Sequence, residues 1–147
     1  MQLIIIVKKD ILINGLNLDW RGYWIEISWQ IYGRGITQDY EYGILTNEIY
    51  KEWSGMKASE YKEYKGIRKE SLRDNMSDIE IILTDLGEVA TRELAKKYNP
   101  YGLEENKKIA IMGGNTAKIA KDDLENKLGD KVITNNNSQY IDENKSN

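Results

Sequence analysis

Between Tyr61 and Arg73 the chain places five cations, Lys62, Lys65, Arg68, Lys69 and Arg73, with Tyr61 and Tyr64 among them. Lysine and arginine beside aromatic rings are the side chains that neutralise phosphates and stack on exposed bases. This stretch is therefore the candidate contact with DNA or with a protein partner. Glu60, Glu63 and Glu70 fall in the same run, and a solvated helix face with ion pairs of little individual worth has the same composition. The dipeptide Arg73-Asp74 also supports two readings. It is either a functional pair, or Arg73 reaches a carboxylate or carbonyls while Asp74 holds a turn through its side chain.

The remaining chemistry is sparse. The 147 residues contain no histidine and no cysteine, which removes disulfides, thiolate nucleophiles, zinc sites and the commonest general base together. Nothing has the ligand spacing of a calcium loop. Glu88, Arg92 and Glu93 lie close together in sequence, but paired carboxylates outside a pKa-shifting motif are poor grounds for acid-base catalysis. Gly33-x-Gly35 and Gly113-Gly114 lack the strand-glycine-helix setting of a phosphate loop. The expectation is a non-enzymatic protein with no catalytic residues, no cofactor, no metal and no small-molecule substrate. A net charge of -3 provides no global basic field, so any affinity for nucleic acid has to be local. The apolar run Leu3 to Val7 is too short to span a bilayer and lacks a signal-peptide cleavage site, so the expected setting is the cytoplasm, away from membranes.

The pattern that positions these residues is mainly α, with two long core helices over about residues 77–98 and 103–128. Ser77 and Glu80 form a capping box, each side chain accepting from the other residue's backbone N–H. Ile79, Ile82, Leu83, Leu86, Ala90, Leu94 and Tyr98 then recur at helical spacing. Lys96 and Lys97 suit the negative end of the helix dipole, and Asn99-Pro100 stops the helix. Leu103 begins the second long helix, with Ile109, Met112, Thr116, Ile119, Leu124 and Leu128 on its apolar side and Gly129 as its stop. Gly113 and Gly114 interrupt it at a cost of about 2 kcal/mol relative to alanine. Close approach of another helix is the favoured reason for that cost. Thr46 is a plausible cap for a helix over residues 47–53 ended by Ser54-Gly55, and Ser59 for a short one ended by Gly66. Trp53 is expected in the core or at a subunit contact. Residues 1–33 read as a short β-hairpin, with Ile25, Ile27, Trp29 and Ile31 alternating on one face. Residues 135–147 are asparagine-rich and expected to be a loose polar tail.

Three pieces in order, EYGILTNEI (41–49), KGIRKESLRDNMSDIEIILTDLGEVATRELAKK (65–97) and GLEENKKIAIMGGNTAKIAKDDLENKLGDKVIT (102–134), resemble the C-terminal region of the DNA-damage-inducible protein D group and of BRO-type phage antirepressors. The resemblance covers about residues 34–134. It implies a helical domain that acts by binding DNA or a DNA-associated protein, in phage or prophage regulation of transcription or in the SOS response to DNA damage. Longer members carry a BRO-type domain associated with DNA binding ahead of this region, and that domain is not expected here. A second reading from another class is a helical interaction or dimerisation module that targets a repressor, a repair protein or a host-defence factor without touching DNA. A homo-oligomer is compatible with either. The chain departs from the family before Arg34. Joining the third base of each codon to the first two of the next permits a charged, linker-like peptide across residues 1–34 that runs into Gly35-Ile36. Residues 1–33 are accordingly expected to be a frame-shifted segment with no selected function.

Overall fold

A computed structural model describes residues 34–139 of the chain. The expected hairpin, its alternating residues and Trp20, Trp24 and Trp29 lie outside the described residues. Among those described there are four α-helices, one short 3₁₀ turn and no strand. The helices are α1 Asp39–Ser54, α2 Ala58–Tyr64, α3 Asp78–Tyr98 and α4 Gly102–Leu128, with the 3₁₀ turn Arg73–Asn75 just before α3.

Local chemistry explains most of the boundaries. Helix α3 starts where Ser77 Oγ accepts from the Glu80 N–H and Glu80 Oε1 accepts from the Ser77 N–H at 3.1 Å. It ends at Asn99, whose left-handed backbone (φ 47) supports an N–H bond to the Ala95 carbonyl. Asparagine tolerates that conformation better than other non-glycine residues. Helix α1 begins eight residues before the expected start at Asn47, because Gln38 and Glu41 complete a turn: the Gln38 N–H donates to Glu41 Oε1 at 3.2 Å. Helix α2 begins in the same way, the Lys57 N–H donating to Glu60 Oε1. Arg34 is buried and clasps the turn between the long helices. Its guanidinium donates to the Ala95 carbonyl at 3.1 Å, and its own carbonyl accepts from the Gly102 N–H and the Asn106 side-chain amide.

Helices α3 and α4 fold back on each other as a hairpin, and α1 packs against both, most extensively against α4. The core gathers Leu45, Ile49, Trp53, Tyr61, Leu72, Leu83 and Val132. The interior faces of the long helices are smaller and more polar than the apolar stripes suggest. Helix α3 buries Glu80, Leu83, Thr84, Gly87, Glu88, Thr91 and Ala95, while Ile82 is 59% exposed and Tyr98 also faces out. Helix α4 buries Asn106, Ile109, Ala110, Gly113, Gly114 and Ala117 and leaves Met112, Thr116, Ile119 and Leu128 exposed. The reason is a close approach that only small residues permit. A Cβ at Gly113 would fall 2.7 Å from the Thr91 nitrogen, and one at Gly114 would fall 2.7 Å from Glu52 Cβ and 2.9 Å from the Ile49 carbonyl oxygen. Thr84 and Thr91 can sit in this interface because each hydroxyl donates back to its own helix, to the Glu80 and Gly87 carbonyls.

Gly113→Ala should destabilise the fold by about 1–3 kcal/mol through overpacking against Thr91, despite a helix-propensity gain of about 1 kcal/mol. Gly43→Ala, on α1 with nothing near its missing methyl group, should show only the gain. Thermal denaturation of the pair checks this, and an unchanged or raised melting temperature for Gly113→Ala would count against close approach as the reason for the glycines.

Candidate binding surface and the buried Lys65 cluster

The fold divides the five cations. Arg68 and Lys69 are exposed and Lys62 is half-buried, so these three share the surface with Tyr64. Lys65 and Arg73 are interior. The Lys65 ammonium lies 2.8 Å from Glu80 Oε1 with both side chains fully buried, and it also donates to the Asn136 carbonyl at 2.8 Å. Arg73 pairs with Asp85 on α3. Neither charge is presented to an external phosphate, so the contact surface expected from sequence is reduced to Lys62, Arg68 and Lys69. For Arg73-Asp74, Arg73 finds a carboxylate, as the structural reading expects, but the exposed Asp74 does not hold the turn through its side chain: its backbone N–H donates to Ser71 Oγ.

Glu80 is the hub of the interior group. One carboxylate oxygen accepts from the Ser77 N–H and from Lys65, and the other accepts from the Tyr61 hydroxyl. The Tyr61 ring lies under the Lys65 ammonium, 5.9 Å from nitrogen to centroid, and packs beside Trp53 and Tyr50. Burial, followed by the adjacent negative charge of Glu80 and the hydrogen bond to it, holds the Tyr61 phenol well above its ordinary value of 10.0. Sequence reasoning identified Ser77 and Glu80 only as a helix cap. A lysine and a glutamate fifteen residues apart carry no periodic signal of contact.

Among the described residues no group of three acidic, histidine or cysteine side chains is placed to hold a metal, and no helix is long and apolar enough to cross a membrane. An open cleft of about 680 Å³ at the end of α4 is lined by Asp122, Glu125, Asn126, Gly129, Asp130 and Lys131. Its excess of carboxylates disfavours a phosphate. On α3, Arg92 lies 3.5 Å from Glu93, and Glu88 is buried. No protein-family model, curated protein or solved structure matches the chain.

Lys65→Met leaves the Glu80 carboxylate buried without its cation and should cost about 3–5 kcal/mol in urea denaturation. Adding Glu80→Gln removes the stranded charge and should recover a substantial part of that loss. A single-variant cost under about 1 kcal/mol would mean the pair is not buried in solution.

The phenol gives a separate signature with a defined sign. Tyr61 stays protonated in the fold while the unfolded chain ionises near its ordinary value of 10.0. Its contribution is therefore complete below that pH and is lost as pH rises above it, by up to about 1.4 kcal/mol per pH unit. Tyr61→Phe should lower stability at neutral pH and flatten this alkaline fall. Parallel alkaline limbs for the two proteins in pH-dependent denaturation would remove Tyr61 as the cause.

Proposed function

We propose that residues 34–134 act by binding, without catalysis, as a regulatory domain of the damage-inducible protein D and phage antirepressor type, with a DNA-associated protein as the main contact. The role in transcription regulation or the DNA-damage response comes with that resemblance, and a cytoplasmic setting is part of the same reading. The observation that favours protein over DNA is the sequestration of Lys65 and Arg73 in buried carboxylate pairs. It leaves three cations of the basic stretch at the surface, interleaved with acidic neighbours. Affinity for duplex DNA falls with salt at a logarithmic slope of about 0.9 per neutralised phosphate. Three contacts from this stretch give a slope of about 2.7, whereas five would give about 4.5.

A gel-shift series across salt concentrations with duplex DNA tests this reading. Weak binding with a slope of about 2.7 or less is expected, and Lys62→Ala, Arg68→Ala and Lys69→Ala combined should abolish most of it. Stability should change by less than about 1 kcal/mol, because the replaced side chains lie at the surface. Tight binding with a slope of about 4.5 or more would restore DNA as the main contact.

A further inference from the structure

Beyond Gly129, which ends α4 in a left-handed turn (φ 75), the chain does not drift into solvent. It runs as an irregular strap across Glu125 and Lys65 and turns helical at Ser138, where it meets Asn75. The Val132 side chain is buried and its N–H donates to Glu125 Oε2 at 3.0 Å. The Asn136 carbonyl accepts from Lys65 Nζ at 2.8 Å, the Asn137 amide donates to the Lys65 carbonyl at 3.2 Å, and the Ser138 N–H donates to Asn75 Oδ1 at 2.8 Å. Three of these four bonds use the strap's main chain, which any peptide carries.

The groups beneath the strap are oriented independently of it. Lys65 Nζ is rooted on Glu80, and Asn75 donates its amide to the Ser71 carbonyl at 2.8 Å, which points its oxygen at Ser138. Glu125 projects from α4. A groove with fixed polar groups loses little ordering entropy when a segment enters, and leaving those groups uncovered and unpaired is costly. The connection from Gly129 to Lys131 is short, so the strap acts at the high effective concentration of a tethered ligand.

We propose that this groove is an acceptor for a peptide segment of a partner protein that takes up the strap's irregular path, held shut in the free protein by residues 132–138. The matching segment has a β-branched residue for the Val132 position, an accepting main-chain carbonyl four residues on, and asparagine immediately after. The proposal rests on the protein-binding reading above and names the kind of partner. It is read out on the groove itself, so it can fail while weak DNA binding stands, and the reverse.

The test uses the full chain and a fluorescein-labelled peptide of residues 131–138, followed by anisotropy. Ser138→Pro removes the N–H that bonds Asn75, and Val132→Asp ejects the apolar anchor; circular dichroism checks that each variant stays folded. The peptide should bind Ser138→Pro about tenfold or more tighter than the unaltered chain, with Val132→Asp showing the same gain if it folds, and a scrambled peptide should bind neither. Equal binding to the altered and unaltered chains, no binding to a folded Ser138→Pro chain, or equal binding of the scrambled peptide overturns the proposal.

Discussion

The Glu80 carboxylate is the constraint from which much of the architecture follows. It is fully buried and charged, and a buried charge is tolerated only when its lone pairs are filled. Its donors come from three places in the chain: the Ser77 N–H at the start of α3, the Tyr61 hydroxyl on α2 and the ammonium of Lys65 just beyond α2. Satisfying one carboxylate therefore fixes where α3 begins and how α2 lies against it. It also fixes the path of residues 65–76 between them. Replacing the group by an apolar network of equal volume is often as stable or more so. What the charged arrangement supplies is a single geometry, since a slipped packing strands a charge.

The other half of the fold is governed by distance of approach. Gly113 and Gly114 bring α4 to backbone contact with α3 and α1, and Gly87 leaves room on α3 for the Ile49 side chain. Helices this close leave no space for large side chains between them. Leucine and isoleucine residues at helical spacing are consequently displaced to the flanks, where Leu86 and Leu124 are half-buried and Ile82 and Ile119 are exposed. Threonine replaces them inside because its hydroxyl is satisfied by its own helix.

This explains which parts of the structure were legible in sequence. The ends at Ser77 with Glu80, Gly55, Asn99 and Gly129 were legible because those caps act within one turn. The starts of α1 and α2 were not, since Thr46 and Ser59 fall inside helices that begin after Gln38 and Lys57. The paired glycines signalled close approach through their propensity cost, although not its partner, Thr91. The buried faces of α3 and α4 were misread by about one residue around each helix, because an apolar stripe is informative only when the core is apolar. Lys65 was invisible for the complementary reason. A lysine among charged neighbours reads as solvated, and nothing local reveals a carboxylate fifteen residues away. Of the polar tail expected over residues 135–147, only 135–139 are described. There Asn136 and Ser138 bind through main-chain groups, which composition does not report, and Asn137 through its side-chain amide.

The two structural regimes meet at Lys65, which has bonds of unequal consequence. Glu80 holds its charge from within the fold and Asn136 caps it from the strap. Removing the strap leaves the ion pair, the helix cap and the tyrosine contact intact, so the energy at stake is that of four hydrogen bonds, the buried Val132 and the half-buried Ile133, on the order of a few kcal/mol. Removing Glu80 instead takes the start of α3 and the seat of α2 with it. Opening at the strap is thus separated in energy from global unfolding, which is the condition a displaceable segment must meet. Direct capture of a phosphate by Lys65 would have to break the inner bond and leave Glu80 buried and charged. The same carboxylate that makes the lysine unavailable to DNA keeps the floor of the groove rigid when its cover is lifted.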